Sequence, residues 1–146
     1  MAMFNDKHLH TIDQRSRLQL SRDDRDGMKI KKGDPIHLLP SPTTPPYLEV
    51  RTKAQWEAYQ QRLMALPVGT SKREMFRFIR MMHETATADG QGRFVISQRL
   101  RDICGLGSEV AVVNMVTVIE VWKKEAIEQK YNDMLRAFND ISDKLF

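Results

Sequence analysis

The most constraining feature of this 146-residue sequence is an internal repeat. When residues 11–26 are aligned with residues 87–102, six of the sixteen positions are identical, whereas ordinary composition gives about one match. The matched pairs are Thr11 and Thr87, Asp13 and Asp89, Arg17 and Arg93, Ser21 and Ser97, Arg25 and Arg101, and Asp26 and Asp102. A chain built on a doubled unit is expected to fold as two similar halves, each of which opens with Asp-x-x-x-Arg.

Each copy joins a turn-forming segment to an apolar run. The carboxylate of Asp13 or Asp89 can accept hydrogen bonds from backbone N–H groups two residues on, and Gly90 and Gly92 tolerate positive φ in the second copy. The apolar run after Arg93 is predicted to form a buried strand, which holds the Arg beside its Asp. A hairpin with an ordinary ion pair would explain one copy. Two copies at matched spacing favour oriented arginines that bind something charged and periodic.

The sequence resembles the MraZ family of bacterial regulators of the division and cell wall cluster, whose halves each carry Asp-x-x-x-Arg. Beyond this motif, the resemblance rests on segments that follow the family's order and spacing over roughly residues 3–130. These segments are Met3-Phe4, residues 47–50, Trp56, Leu63, Leu66-Pro67, Leu100-Arg101, Gly105-Leu106, residues 110–113 and residues 120–122.

Both the pattern of strands and the resemblance indicate an α+β fold. The resemblance implies that each half is a swapped-hairpin unit of the AbrB type, and that the two halves interlock within one chain as a pseudo-dimer with peripheral helices. We expect the first unit with its helix at residues 3–68. A helix, the second unit and a C-terminal helix are expected at residues 69–146.

The resemblance also implies a function, which is sequence-specific binding of double-stranded DNA at short direct repeats upstream of the protein's own operon, usually to repress division and cell wall genes. Arg17 and Arg93 are the expected DNA contacts. Arg15 beside the first motif, and Arg99 and Arg101 near the second, are expected to bind phosphates. The residues expected to orient the turns are Asp13, Asp89, Gly90 and Gly92. The family also forms ring-like homo-oligomers, in which several weak motifs could engage several repeats at once.

The first copy departs from the family pattern, and two of the departures bear on its binding. Ser16 stands where the family usually has Gly before the Arg, and Ser lacks the freedom of Gly at positive φ. Residues 22–27 are expected to form an acidic turn where the family has a short amphipathic helix. The carboxylates of Asp23, Asp24 and Asp26 would repel DNA phosphates. We therefore expect the first motif to bind more weakly than the second.

Local signals predict several further elements. Residues 28–32 are predicted to form a short strand. Thr52 and Ser71 each precede Gln or Glu by three positions, so each is predicted to cap a helix. Ser97 is predicted to cap a short helix that stops at Gly105.

A final helix, predicted to begin around Lys123, carries an apolar seam with heptad spacing. The seam consists of Ile127, Tyr131, Met134, Phe138, Ile141 and Leu145. Left exposed, it would form a large apolar patch, so its first turns are expected to pack on the chain's own sheet. Residues 138–145 are expected to meet a neighbouring subunit.

The composition excludes several classes of protein. No apolar run approaches the 18 residues of a membrane span and no signal peptide opens the chain, so no membrane partner is expected. Cys104 is the single cysteine, so an intrachain disulfide is impossible and a cytoplasmic location is expected. The DNA binding that the resemblance implies adds the expectation of association with the nucleoid. The net charge of +4 makes a polyanionic partner plausible.

The sequence carries no motif of an enzyme. It has no phosphate-binding loop, dinucleotide fingerprint or nucleophile elbow, and no small-molecule ligand is evident. Its four histidines and one cysteine give neither a metal cluster nor a nucleophile–base pair. Asp13 and Asp89 each have their own Arg, which lowers the pKa of a carboxylate and argues against acid–base work. We therefore predict no catalytic residue, metal or cofactor.

Two other classes of function remain open. In an antitoxin-like or scaffold module, the two turns would pair with carboxylates of a protein partner. An RNA-binding protein would need base-stacking aromatic side chains, and Phe94 is the single candidate beside either motif.

Overall fold

The computed structural model describes residues 4–5 and 7–145. Met3, where the resemblance and the first predicted unit begin, and Phe146, where the second unit ends, lie outside the described residues. The strands in the described part are β1 (Leu9–Thr11), β2 (Arg17–Gln19), β3 (Pro35–Pro40), β4 (Leu48–Thr52), β5 (Glu84–Thr87), β6 (Arg93–Val95), β7 (Glu109–Asn114) and β8 (Ile119–Lys123). The helices there are α1 (Arg22–Gly27), α2 (Lys53–Met64), α3 (Thr70–Met82), α4 (Gln98–Cys104), α5 (Lys124–Glu128) and α6 (Tyr131–Ser142).

The strands form one antiparallel sheet of six and one antiparallel ribbon of two. The sheet has the order β1-β7-β8-β4-β3-β5, so β1 of the first half pairs with β7 of the second, and β5 of the second half pairs with β3 of the first. This order is unchanged when the equivalent strands of the two halves are exchanged. The sequence repeat is therefore a structural one, and the halves interlock as the resemblance implies.

The ribbon joins the strands that follow the two motifs. In β2 and β6, Leu18 pairs with Phe94, Arg17 with Val95 and Gln19 with Arg93. Neither Leu18 nor Phe94 is more than 1% exposed, and burial of one such side chain contributes about 1.5–3 kcal/mol. Because alternate residues of a strand face opposite sides, this inward pair places Arg17 and Arg93 on the outer face of the ribbon.

The main core lies between the six-stranded sheet and the layer formed by the ribbon with α1 and α4. Both halves contribute to it, and its fully buried members include Leu18, Leu20, Ile36, Leu38, Leu48, Phe94, Ile96, Leu100 and Ile119. Helices α2 and α3 cover one part of the sheet's opposite side around Trp56, and α5 covers another part around Trp122. The α+β class predicted from the sequence is confirmed.

The capping predictions had mixed outcomes. The Oγ1 of Thr52 accepts from Gln55 N–H, and the Gln55 side chain accepts from Thr52 N–H, so the predicted capping box is present. Ser97 caps α4, and Gly105 ends it with a φ of 65°. The capping box predicted at Ser71 is wrong. Helix α3 begins at Thr70 after an extended Gly69 and has no side-chain cap, so Ser71 already lies inside the first turn.

Residues 22–27 form α1 rather than the expected turn. The Oγ of Ser21 accepts from Asp24 N–H at 3.2 Å and caps this helix, and acidic residues in a first turn interact favourably with the helix dipole. The strand predicted for residues 28–32 is also wrong. Met28 N–H donates to Asp24 O and Ile30 N–H to Arg25 O, each at 3.0 Å. These amides close the end of α1 and are therefore engaged there instead of in a sheet.

The C-terminal segment forms two helices rather than one. Helix α5 ends at Glu128, and α6 begins at Tyr131. Ile127 packs on the sheet beside Trp122, as expected for the start of the seam. Tyr131 and Met134 are already 40% and 41% exposed. The division of the chain at residues 68 and 69, which falls between α2 and α3, stays a prediction.

Candidate nucleic-acid interface

The first motif is a tight turn held by its own aspartate. The Oδ1 of Asp13 accepts from the backbone N–H groups of Arg15 and Arg17, both at 2.9 Å, and Oδ2 accepts from Arg17 Nε at 2.8 Å. Ser16 N–H donates to Asp13 O at 2.9 Å, and Asp13 N–H donates to Arg17 O at 3.0 Å. One carboxylate therefore fixes both the turn and the direction of the arginine.

The second motif repeats this network atom for atom. The Oδ1 of Asp89 accepts from the backbone N–H groups of Gln91 and Arg93, both at 2.9 Å, and Oδ2 accepts from Arg93 Nε at 2.7 Å. Gly92 N–H donates to Asp89 O at 3.0 Å. Because the two networks share donors, acceptors and distances, the two turns present their arginines in the same way.

Positive φ is required at only one position of each turn. Ser16 has a φ of 62° and Gly92, its equivalent, has a φ of 74°. Ser16 therefore adopts the same conformation as Gly92, although a non-glycine residue does so at a cost of roughly 1–2 kcal/mol. Gly90 was expected to use the same freedom, but its φ is not in the left-handed region.

The aspartates of both motifs are held in the ionised form. The backbone N–H of Arg93, followed by its side chain and by Gln91 N–H, lowers the pKa of Asp89 to about 2. The equivalent hydrogen bond from Arg17 N–H is the largest cause of the lowered pKa of Asp13. Both carboxylates are therefore charged at neutral pH and suit a positioning role rather than proton transfer.

The two motif arginines keep their terminal nitrogens available. Their side chains are 26% and 27% exposed for Arg17 and Arg93, and each uses Nε to bind its aspartate. Within residues 4–5 and 7–145, no hydrogen bond engages the Nη atoms of either residue. Arg17 and Arg93 are diagonal neighbours across the ribbon, which places their Cα atoms about 7–8 Å apart.

The flanking arginines differ in their surroundings. Arg15 is exposed beside the first turn. Arg99 is bound on the protein surface, where its Nη1 lies 2.9 Å from Glu84 Oε2 and its Nη2 donates to Met81 O. Arg101 was expected near the second motif, but its Nη1 donates to Ser16 Oγ of the first at 3.1 Å. Arg101 lies there because β2 and β6 pair in antiparallel order, which places the helix after each strand beside the motif of the other half.

Sequence reasoning missed Arg25, the equivalent of Arg101. Its Nη1 donates to Gln91 O in the second motif at 2.8 Å. The identity of Arg25 and Arg101 in the aligned repeat was the available signal. The alignment does not show that β2 pairs with β6, and this pairing is what brings each helix beside the turn of the other half.

Two of the three aspartates of α1 have polar partners. Asn114 Nδ2 donates to Asp24 Oδ1 at 2.9 Å, and Arg22 Nε lies 3.8 Å from Asp26 Oδ2 in an exposed pair. Asp23 is exposed. Because α1 contacts the second motif through Arg25, these carboxylates lie beside the second turn and not beside the first, where they were expected from the sequence.

Other parts of the described chain narrow the choice of chemistry. Burial raises the pKa of the Cys104 thiol to about 12, which keeps it protonated and unreactive. Phe94 is 1% exposed, so it cannot stack on a base as the RNA alternative required. No three His, Cys, Asp or Glu side chains among residues 4–5 and 7–145 could hold a metal ion. None of the helices described is long and apolar enough to cross a membrane.

Comparisons with known proteins agree with these features. The family profile described as "MraZ protein, putative antitoxin-like" matches residues 81–145, which contain the second motif. The transcriptional regulator MraZ of Pelotomaculum thermopropionicum is 27% identical over 148 aligned residues, covering 98% of this chain and 95% of that protein. That relative is named as a transcriptional regulator. The resemblance of this chain to the MraZ family is thereby confirmed, and it extends along nearly the whole chain.

Proposed function

We propose that this protein is a transcriptional regulator that binds double-stranded DNA through its two Asp-x-x-x-Arg turns. The observation that carries the proposal is the matched pair of arginines on the outer face of one ribbon, each held at Nε by an ionised aspartate. An Arg oriented in this way loses little conformational freedom when its Nη atoms bind DNA. Arg17 and Arg93 are the proposed DNA contacts.

The dimensions of the ribbon support contact with a groove of DNA. The major groove of B-DNA admits a two-stranded β-ribbon, and an Arg there can bind guanine O6 and N7 with two hydrogen bonds. Two arginines about 7–8 Å apart at Cα span about two base-pair steps of 3.4 Å. Exposed Arg15 and Arg99 would add phosphate contacts that position the ribbon, whereas the Arg101 side chain is held at Ser16 Oγ.

Finer features of this function are also part of the proposal. The sites would be short direct repeats upstream of the protein's own operon, and binding would repress division and cell wall genes. The protein would work in the cytoplasm on the nucleoid. It would assemble as a ring, so that several motifs engage several repeats together. The exposed apolar side of α6, with Phe138 62% exposed, is the surface proposed to meet the neighbouring subunit.

Replacement of Arg93 tests the DNA contact directly. Arg93→Ala should weaken binding to the upstream duplex by about 1–3 kcal/mol for each engaged motif if the contact is to a base edge, measured by fluorescence anisotropy. The melting temperature should change little, because an ion pair at this exposure contributes little to stability. Unchanged affinity of a folded Arg93→Ala protein would remove the proposal.

A matched control separates this effect from the loss of one positive charge. Arg136→Ala on α6 removes an exposed arginine whose partner is Asp133, 3.6 Å away, and it should leave affinity nearly unchanged. Competition by RNA of equal length and by a scrambled duplex distinguishes the alternatives. If RNA competes as well as the upstream duplex, the RNA-binding function is favoured.

A protein-interaction module is the second candidate, favoured by the "antitoxin-like" description of the matching family. The two turns would then bind carboxylates of a partner protein through the same arginines. This candidate predicts that the upstream duplex binds no better than the scrambled duplex. It also predicts a partner complex that is lost in the Arg17→Ala and Arg93→Ala variants.

A further inference from the structure

Two arginines outside the motifs make equivalent contacts across the halves. Arg25 lies on α1, after the first motif, and its Nη1 donates to Gln91 O in the second motif at 2.8 Å. Arg101 lies on α4, after the second motif, and its Nη1 donates to Ser16 Oγ in the first at 3.1 Å. Both Nε atoms are buried without a hydrogen-bond partner in the described part of the chain. These side chains are therefore directed into the protein.

The contact of Arg25 with the second turn is very close. A Cβ atom built on Gly92 would lie 2.0 Å from Arg25 Cδ and 2.9 Å from Arg25 Cγ. The stem of Arg25 thus occupies the space that a side chain at position 92 would take. In the first turn, Ser16 keeps its side chain, and its hydroxyl instead accepts from Arg101.

The topology explains why each helix reaches the other half's turn. Antiparallel pairing of β2 with β6 places the end of each strand beside the start of the other. The helix that follows a strand is therefore next to the opposite motif. Ile96 N–H donates to Ser16 O at 2.8 Å, and Gln19 Nε2 donates to Gln91 O at 3.1 Å. Gln91 O thus accepts from Gln19 and from Arg25, both contributed by the first half.

We propose that Arg25 and Arg101 are positioning residues, each of which holds the turn of the opposite half in place. Arg25 holds the turn that contains Arg93, and Arg101 holds the turn that contains Arg17. We call this pair of contacts the bracing of the motifs. This inference rests on the proposed function, because the braced turns are the ones that present arginines to DNA. Loss of a brace frees one turn, so the arginine of that turn no longer has a fixed direction. The two motifs are coupled, since each half supplies part of the other's site.

The bracing can be tested without DNA. The pKa values of Asp13 and Asp89 follow from the hydrogen bonds that hold each turn, and NMR titration of the carboxyl carbons measures both. Arg25→Ala should raise the pKa of Asp89 toward its ordinary value and leave that of Asp13 unchanged. Arg101→Ala should do the reverse. A shift confined to the motif of the same half, or no shift in either, overturns the proposal.

A DNA-binding experiment tests the consequence of bracing. Arg25→Ala should weaken binding on the order of tenfold in an Arg17→Ala background, but add almost no loss in an Arg93→Ala background, because residues that act through one group are not additive. Arg101→Ala should show the opposite pattern. Equal losses in both backgrounds would mean that Arg25 contacts DNA directly, which contradicts the positioning role.

Two further variants complete the design. Arg22→Ala is the matched control, since Arg22 lies on the same helix, is 86% exposed and, among the described residues, pairs with Asp26 alone. It should leave both pKa values unchanged. Arg25→Lys keeps the charge and most of the stem over Gly92, so it should restore part of the loss, and it replaces Arg25→Ala if that variant does not fold. If no variant or wild-type protein binds DNA, the proposed function fails while the titration still decides the bracing.

Discussion

At the scale of single residues, the two motifs differ in their surroundings rather than in their geometry. Their hydrogen-bond networks match, and Ser16 adopts the same positive φ as Gly92. The remaining difference is charge, because the three aspartates of α1 lie on the helix that contacts the second motif through Arg25. Any inequality in DNA binding should therefore be electrostatic and sensitive to salt.

This difference predicts a ranking of the two arginines. The ranking expected from the sequence is therefore reversed: Arg93→Ala should weaken DNA binding less than Arg17→Ala, because the acidic charge of α1 opposes phosphates near the second turn. Replacement of Asp23, Asp24 and Asp26 by asparagine should strengthen non-specific binding and steepen its dependence on salt. Affinity measured at several salt concentrations checks both statements. An Arg93→Ala loss as large as that of Arg17→Ala would contradict this ranking.

Position 92 requires both a positive φ and the absence of a Cβ atom, and glycine is the amino acid that meets both requirements. The φ of Gly92 is 74°, and the Arg25 stem fills the space of a Cβ atom. Gly92→Ala should therefore destabilise the fold by more than the roughly 1–2 kcal/mol expected from backbone strain alone, as measured by urea unfolding. Arg25→Ala in the same protein should recover the steric part of this loss. If the double variant is no more stable than Gly92→Ala, the close contact is not the cause.

At the scale of elements, a stacked histidine pair joins the sheet to the α2–α3 helices. His37 Nδ1 lies 2.9 Å from His83 Nε2, and both rings stack on Trp56, with centroids 5.2 Å and 4.3 Å away. Burial is the main cause of the lowered pKa of each histidine, and the charge of His83 lowers the pKa of His37 further. The folded protein therefore favours the neutral rings.

The sign of these shifts gives a prediction about pH. Because the folded-state pKa values lie below the unfolded value of about 6.5, the unfolded chain takes up protons first, and stability falls as the pH drops from 7 toward 5. His37→Gln removes one of the two groups, so its stability should fall less over this range than that of wild-type protein. Urea unfolding at pH 7, 6 and 5 measures the difference. Thr85→Ala changes the residue opposite His37 on β5 and is a control that should keep the full pH dependence. If the stability of His37→Gln falls with pH as steeply as that of wild-type protein, His37 is not a source of the pH dependence.

Local chemistry explains which elements could be predicted from the sequence. Thr52 and Ser97 were identified as caps because their hydrogen bonds depend on residues three positions away. The error at Ser71 has a similar local origin, since the same spacing occurs one residue inside a helix that Gly69 opens. Residues 28–32 were misassigned because apolar Met28 and Ile30 pack on the core while their amides serve the end of α1.

At the scale of the whole molecule, local sequence signals could not predict which strands of the two halves pair with each other. Each half contains the same kinds of strand, so pairing within or between halves would satisfy the same hydrophobic pattern. The resemblance supplied the interlocked arrangement, and the order β1-β7-β8-β4-β3-β5 agrees with it. The crosswise contacts of Arg25 and Arg101 follow from that pairing and could not be read from either copy alone.

The C-terminal seam forms an apolar surface that the rest of the chain leaves uncovered. Ile127 is buried on the sheet, but the rest of the seam runs onto and past α6. Phe138 and Ile141 on α6 are 62% and 54% exposed, and Leu145 after its end is 69% exposed. Exposed apolar side chains on one side of a helix favour burial against another surface. Under the proposed ring assembly, a second copy of the chain provides that surface.

Removal of this helix should therefore reduce the size of the assembly. A chain truncated after Asn132 loses nearly all of α6 but keeps Ile127 and every strand, so it should remain folded and scatter light as a smaller particle. The double variant Phe138→Glu/Ile141→Glu should have the same effect, because it places charge in the apolar contact. Asn139→Glu should leave the particle size unchanged, because Asn139 is an exposed residue of the same helix that is not part of the seam. An unchanged particle size for the folded truncated chain would show that α6 does not join subunits.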